Sequence, residues 1–188
     1  MKKALLTALL FGMAAVPAQQ LHANGFNYNY VEGQYVKSSM NNVDGSGYAI
    51  TGSVALHDNV ALNAGYSNDS YDYDIDTNGY NVGLTYHVPV ADSTDILFNA
   101  SLEQAEYSQP LIGSDDDTGY SIGVGIRHKV ASAVELNASV YNVSIGEDSA
   151  FGVDAAVLVE VSKNFYLGVE YGTSEDIDAI GFGVRAGF

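Results

Sequence analysis

Apolar and polar residues alternate with a period of two along most of this chain, the pattern of β-strands that show a different environment to each face. Tyr48, Ile50, Val54 and Leu56 share one face, opposed by Ala49, Thr51, Ser53 and Ala55. Val60, Leu62, Ala64 and Tyr66 oppose Ala61, Asn63, Gly65 and Ser67, and Tyr80, Val82, Leu84 and Tyr86 oppose Asn81, Gly83 and Thr85. The same alternation returns over 95–107, 118–130, 133–144, 150–161 and 164–173, and in the terminal run Ile180, Phe182, Val184, Ala186, Phe188. It is less clean at the start, where Val31, Gly33 and Tyr35 oppose Tyr30, Glu32 and Gln34. The pattern predicts ten strands, over about 26–37, 47–57, 59–68, 78–88, 95–107, 118–130, 133–144, 150–161, 164–173 and 177–188.

The connections alternate too. Short ones at 57–59, 89–94, 130–133 and 162–164 follow the even-numbered strands. Longer acidic ones at 41–47, 68–79, 108–118, 144–149 and 173–177 follow the odd-numbered strands. Tight turns at one end and polar loops at the other suit an all-β, up-and-down antiparallel barrel. An even strand number puts both termini on one side, which short turns mark as periplasmic in a membrane barrel. Eight strands is the alternative, at the cost of turning two alternating stretches into loops.

Which face points outward decides whether this is a soluble or a membrane barrel. The apolar face carries no mid-strand Asp, Glu, Lys or Arg. The other face is small and polar, with Glu32, Glu103, Arg127, Asp154, Glu160, Glu170 and Arg185. A surface facing bulk water is usually denser in Lys and Glu, whereas a narrow lumen needs small side chains. Aromatics on the apolar face gather near the two strand ends. Tyr35, Tyr48, Tyr66, Tyr80, Tyr120, Phe151 and Tyr171 lie toward the acidic loops; Tyr86, Phe98, Phe165 and Phe188 lie toward the tight turns. Two such bands are the aromatic girdles of a transmembrane barrel. Apolar side chains therefore face lipid, and a closed barrel leaves no unpaired strand edge in hydrocarbon.

The first residues fit a different purpose. Lys2 and Lys3 precede an apolar run, Ala4–Val16, followed by small-residue cleavage sites after Ala18 or Ala23. That layout is a secretory signal peptide, assigned to 1–23, with the barrel over 24–188. The run is shorter than a membrane-spanning helix requires. The 188 residues hold 23 Asp+Glu against 7 Lys+Arg, a formal charge of −16, and removal of the leader makes the balance more acidic. Such a surface does not bind nucleic acid, which requires cationic residues to displace counterions. With no Cys, disulfides, thiol catalysis and thiolate metal sites are excluded.

The leader, the alternating strands and a terminal strand closed by Phe188 resemble the bacterial outer-membrane β-barrel proteins. Tyr28-Asn29-Tyr30-Val31-Glu32-Gly33-Gln34-Tyr35-Val36 is similar to the opening strand of small barrels in the outer membrane protein β-barrel domain family. The resemblance spans the mature chain. It implies a cell outer-membrane location in a Gram-negative envelope, contact with outer-membrane lipid and lipopolysaccharide, and recognition of Phe188 by the barrel-assembly machinery. It also implies a porin-like monomer without a cofactor.

Two constellations carry candidate chemistry. Inside the barrel, Arg185 on the last strand faces neighbouring strands that hold Glu32 and Glu170, while Arg127 neighbours Glu135. Buried charges persist only when paired, so this set reads as an ionic brace across the lumen, or as a charged constriction in a narrow pore. At the outer rim stand Asp72, Asp74, Asp76, Asp115, Asp116 and Asp117, where divalent cations are possible partners. Asp74-Ile75-Asp76-Thr77-Asn78-Gly79 matches the opening of a calcium loop, but the twelfth position is Thr85 in place of the bidentate Glu. His57, His87 and His128 fall at the periplasmic ends of strands, and no nucleophile-elbow pattern or Asp/His constellation appears near the loops, which points away from an enzyme. The expected role is structural or surface-interacting, with a cation-preferring passive channel as the alternative.

Overall fold

The computed structural model describes residues 26–111, 113–175 and 177–188; the leader assigned to 1–23 lies outside them. Ten strands follow in order: β1 (Tyr30–Met40), β2 (Val43–His57), β3 (Val60–Tyr71), β4 (Ile75–Ala91), β5 (Thr94–Gln109), β6 (Gly113–Ala131), β7 (Val134–Ile145), β8 (Asp148–Ser162), β9 (Phe165–Ser174) and β10 (Ile177–Gly187). Each strand pairs antiparallel with its sequence neighbours, and β1 pairs with β10, so the sheet closes into an up-and-down barrel. Closure is continuous over the whole of β1, from Tyr30↔Gly187 to Met40↔Ile177. The backbone N–H of Phe188 adds a bond to Asn29 O at 2.9 Å. All backbone edges are thereby used up, the condition for crossing hydrocarbon.

Apolar side chains on alternate positions cover the outside. Val54, Leu84, Ile122, Val157 and Leu167 are all exposed, while Thr51, Thr85, Ser121, Asp154 and Glu170 on the opposite face are buried. Three phenols of the upper girdle stand side by side, with the Tyr66 ring centroid 6.0 Å from that of Tyr48 and 5.1 Å from that of Tyr80. Tyr86 and Phe98 meet at 6.5 Å in the lower girdle.

The nine connections are all two or three residues long, which corrects the expectation of long acidic loops at the end remote from the termini. Asp76 lies in β4 and Asp115, Asp116 and Asp117 lie in β6. Asn41 and Asn42 both take positive φ (51° and 66°), as do Tyr73 and Asp74 (70° and 55°). Two successive left-handed residues twist a hairpin turn in the same sense as its strands, and Asn tolerates that conformation best after Gly. The polar residues around these turns extend the strands instead. Strands run from 10 to 19 residues, beyond the roughly 9–11 that cross a bilayer when tilted, so the sheet continues past the upper girdle.

The terminal end is built differently. Its four hairpins each carry a register shift, at Ala55/His57, Pro89/Ala91, Lys129/Ala131 and Glu160/Ser162. Such bulges bend a strand and sharpen its twist. The first strand also starts later than the pattern implies. Residues Phe26–Asn29 leave the sheet and turn into the lumen, where Phe26 and Tyr28 are fully buried.

Candidate functional site: the barrel lumen

The alternation that greases the outside puts a stack of polar and aromatic side chains inside, in three levels. The lowest holds two arginines. Arg127 on β6 grips Glu135 on β7 with two bonds, Nε to Oε1 at 2.6 Å and Nη2 to Oε2 at 3.0 Å. Such a two-pronged contact fixes orientation as well as charge. Asn137 donates to the same carboxylate at 3.1 Å. Arg185 on β10 donates from Nε to Glu32 Oε2 at 2.5 Å, its direct partner across the seam, and its Nη1 lies 3.8 Å from Glu135 Oε1. Glu135 thus sits between two guanidinium groups, and all four side chains are buried.

The N-terminal segment packs on this layer. The Arg127 guanidinium lies 4.7 Å from the Phe26 ring centroid and 5.1 Å from that of Tyr28, while Arg185 covers Tyr30 at 4.3 Å. Cations over desolvated ring faces are held by the ring quadrupole. Tyr28 also stacks on His87 at 3.6 Å and donates its phenol to Asp95. Arg127 Nη1 reaches Asn27 O at 3.3 Å, and Asn29 Oδ1 accepts the Ala55 N–H at 3.1 Å. Phe26, Tyr28, Tyr30 and Leu97 form one apolar cluster across the mouth.

The middle level is acidic. Glu170 does not pair with Arg185, contrary to the expectation from strand adjacency. Its register partners are Gly181 and Ala156, four residues along β10 from Arg185. Gln34 bridges instead, donating from Nε2 to Glu32 Oε1 at 2.8 Å and to Glu170 Oε2 at 3.0 Å. Asp154 accepts from Ser139 at 2.9 Å, and Glu103 accepts from Ser101 and from Ser121, the latter at 2.5 Å. Among the described residues none of these three acids has a Lys or Arg within ion-pair distance.

The top level is apolar. Met40, Tyr71, Tyr107, Tyr141, Val143, Ile145 and Ile177 fill the lumen as one cluster, closed at its rim by Val43 and Ile75. The sequence reading did not anticipate this cluster, and a signal for it exists. At the upper girdle the phase of the alternation reverses. In β7, Leu136, Ala138 and Val140 point out, then Tyr141, Val143 and Ile145 point in. In β5, Phe98, Ala100 and Leu102 point out, then Ala105 and Tyr107 point in. Paired apolar neighbours such as Val140-Tyr141 and Tyr35-Val36 mark the switch.

The remaining candidates are dispersed. Asp116 points outward from β6, opposite Glu106, while Asp115 and Asp117 lie on the inner face, and Asp72 and Asp74 stand in a turn. Phe188 is exposed on the outer face at the terminal end. His57 is exposed, His128 contacts Thr94 at 2.9 Å, and His87 is buried against Tyr28. Among the described residues no three metal-ligating side chains converge.

Residues 6–188 match the family model described as the outer membrane protein beta-barrel domain. Solved structures with the same fold include the N-terminal β-barrel domain of Pseudomonas aeruginosa OprF, at 17% identity. That alignment covers 84% of this chain and 97% of that one, with a TM-score of 0.50. The KdgM porin is 13% identical, with 84% and 99% coverage and a TM-score of 0.50. An outer membrane channel from Pseudomonas putida is 7% identical, with 91% and 100% coverage and a TM-score of 0.55. No curated protein sequence matches the chain.

Proposed function

Because the chain belongs to the outer membrane protein β-barrel domain family, and so resides in the cell outer membrane, we propose that it is a sealed, non-conducting barrel that braces the envelope. It carries no catalytic role and presents a short acidic rim outside. One observation carries this reading: the lumen is crossed by side chains at three successive levels, an ion-paired layer capped by aromatic rings, an acidic layer and an apolar cluster. An ion entering from either mouth meets a desolvating apolar cluster, and hydrophobic constrictions block ions by excluding their water. Insertion of the purified protein into planar bilayers is expected to give no discrete openings. Stepwise currents with a stable unit conductance would overturn the proposal.

A cation-preferring channel is the second reading. It is favoured by the middle level, where Glu103, Asp154 and Glu170 have no basic partner among the described residues. A lumen with that sign raises local cation concentration. On this reading openings appear, favour cations, and lose that preference in Asp154→Asn and Glu170→Gln.

A further inference from the structure

The apolar stopper at the far end encloses one ionisable group that packing alone does not call for. Asp69 lies on the inner face of β3, three residues beyond girdle Tyr66, in the part of the sheet that stands clear of the membrane. Its side chain is 7% exposed, and its Oδ1 makes no hydrogen bond among the described residues. Directly across the sheet are Gly47 on β2 and Thr77 on β4, and the Thr77 hydroxyl is likewise buried and unpaired. A carboxylate in such a place gives up its hydration and meets no opposite charge in return.

The rest of that space offers no cation. β2 and β4 bring nothing ionisable to the inner face beside Asp69. Tyr71 shares its strand, and across the lumen stand Tyr107 on β5, Tyr141 on β7, Asp115 and Asp117 on β6 and Asp148 on β8. Glu103, Asp154 and Glu170 follow in the middle level, while β1 and β10 add no ionisable group beyond Glu32 and Arg185 on that face. All of these far-half groups are phenols or acids. The basic side chains that face inward, Arg127, Arg185, Lys129 and His87, belong to the terminal end. Burial therefore pushes the Asp69 carboxyl from its ordinary 3.8 up to about 7.

Tyr71 is the next inward side chain toward the hairpin tip. Its ring lies over Gly45, its register partner, where a Cβ would collide with it, and its hydroxyl accepts a bond from Ser38 on β1 at 3.1 Å. A Cβ at Gly47 would stand 2.6 Å from Asp69 Oδ1. Two glycines on β2 thus make room for the acid and for the ring that follows it.

We infer that the far stopper is a pH-sensitive closure: it is packed while Asp69 holds its proton, and it opens to outside water, with Tyr71 swinging off Gly45, when Asp69 releases that proton to solvent. The closed form holds the carboxyl at its raised value and the opened form at the ordinary one. Closure is therefore fully favoured below about pH 4, weakens by about tenfold per pH unit up to about 7, and weakens no further above that. The ionic layer beneath is untouched, so the inference is independent of whether the lumen conducts.

The chain has no cysteine, so Val143→Cys puts a single thiol inside the stopper, where Val143 is buried. Labelling by a small water-soluble disulfide reagent is followed in the intact folded barrel from about pH 5 to about 9, with and without Asp69→Asn, which keeps the shape and neutrality of the protonated acid. Dividing the two rates removes the thiol's own pH dependence. The ratio is expected to climb steeply from about pH 5 to about 7 and then level off. Tyr71→Phe, which cuts the tie to Ser38, should speed labelling at every pH and leave the levelling point where it was. A ratio that stays flat, or one already level at about pH 5 as for a hydrated carboxyl, would overturn the inference. Gel mobility of the unheated variants, matching wild type, separates an opened stopper from a lost fold.

Discussion

The two ends of the lumen are closed by opposite means. At the terminal end the stopper is a segment outside the sheet, Phe26–Asn29, held by directional contacts: Arg127 over two rings, Tyr28 on His87 and Asp95, Asn29 on Ala55. At the far end the stopper is the strands' own side chains, from Met40 to Ile177, packed as an apolar cluster beside the buried carboxyl of Asp69. The first depends on angles and on charge balance, and fails abruptly when one partner is lost. The second depends on volume, and degrades in proportion to what is removed.

The largest break in this comparison is Arg127→Ala. It leaves the Glu135 carboxylate buried without its two-pronged partner and strips the cation from Phe26 and Tyr28. Removing one member of a buried pair costs about 3–5 kcal/mol. Guanidinium unfolding of the folded barrel in lipid vesicles is expected to show that loss, and the double variant Arg127→Met/Glu135→Met should recover most of it. Ile145→Ala comes next, at about 2–4 kcal/mol for a buried side chain removed from a packed cluster. Its cost should fall when the freed volume is refilled by Ala150→Val from the facing strand. The smallest effect lies on the outer rim, where Glu106 and Asp116 stand directly opposite each other. Like charges in that position repel by a few tenths to about 1 kcal/mol. Asp116→Lys should therefore raise stability slightly, most at low salt.

Ten strands, their order and the lipid-facing side were all legible in the alternation, because the membrane imposes one rule on every outward position from Val31 to Val184. That rule stops at the girdle. Beyond it the outside is wet and the inside becomes the core, so residues such as Glu106 and Asp116 look like loop while still pairing in register. The turns were hidden for a related reason. Asn41-Asn42 and Tyr73-Asp74 lack glycine, and their positive φ is visible only in the folded chain. In the lumen, Glu32 opposite Arg185 follows from closing the barrel, but the partner of Glu170 depends on how far β9 slides against β10. Alternation gives the face of a residue and is silent on that slide. The Phe26–Asn29 stopper was legible only as a weak start to the first strand. The pull of Arg127 on its two rings is a property of the closed ring of strands, not of neighbours in sequence.

The shortness of the far-side connections decides what the cell shows to its surroundings. A visitor from outside meets five hairpin tips and no slack chain. Any recognition of this protein at the cell surface must then read a shape assembled from several strands, and a linear stretch cut from it would present little of that shape.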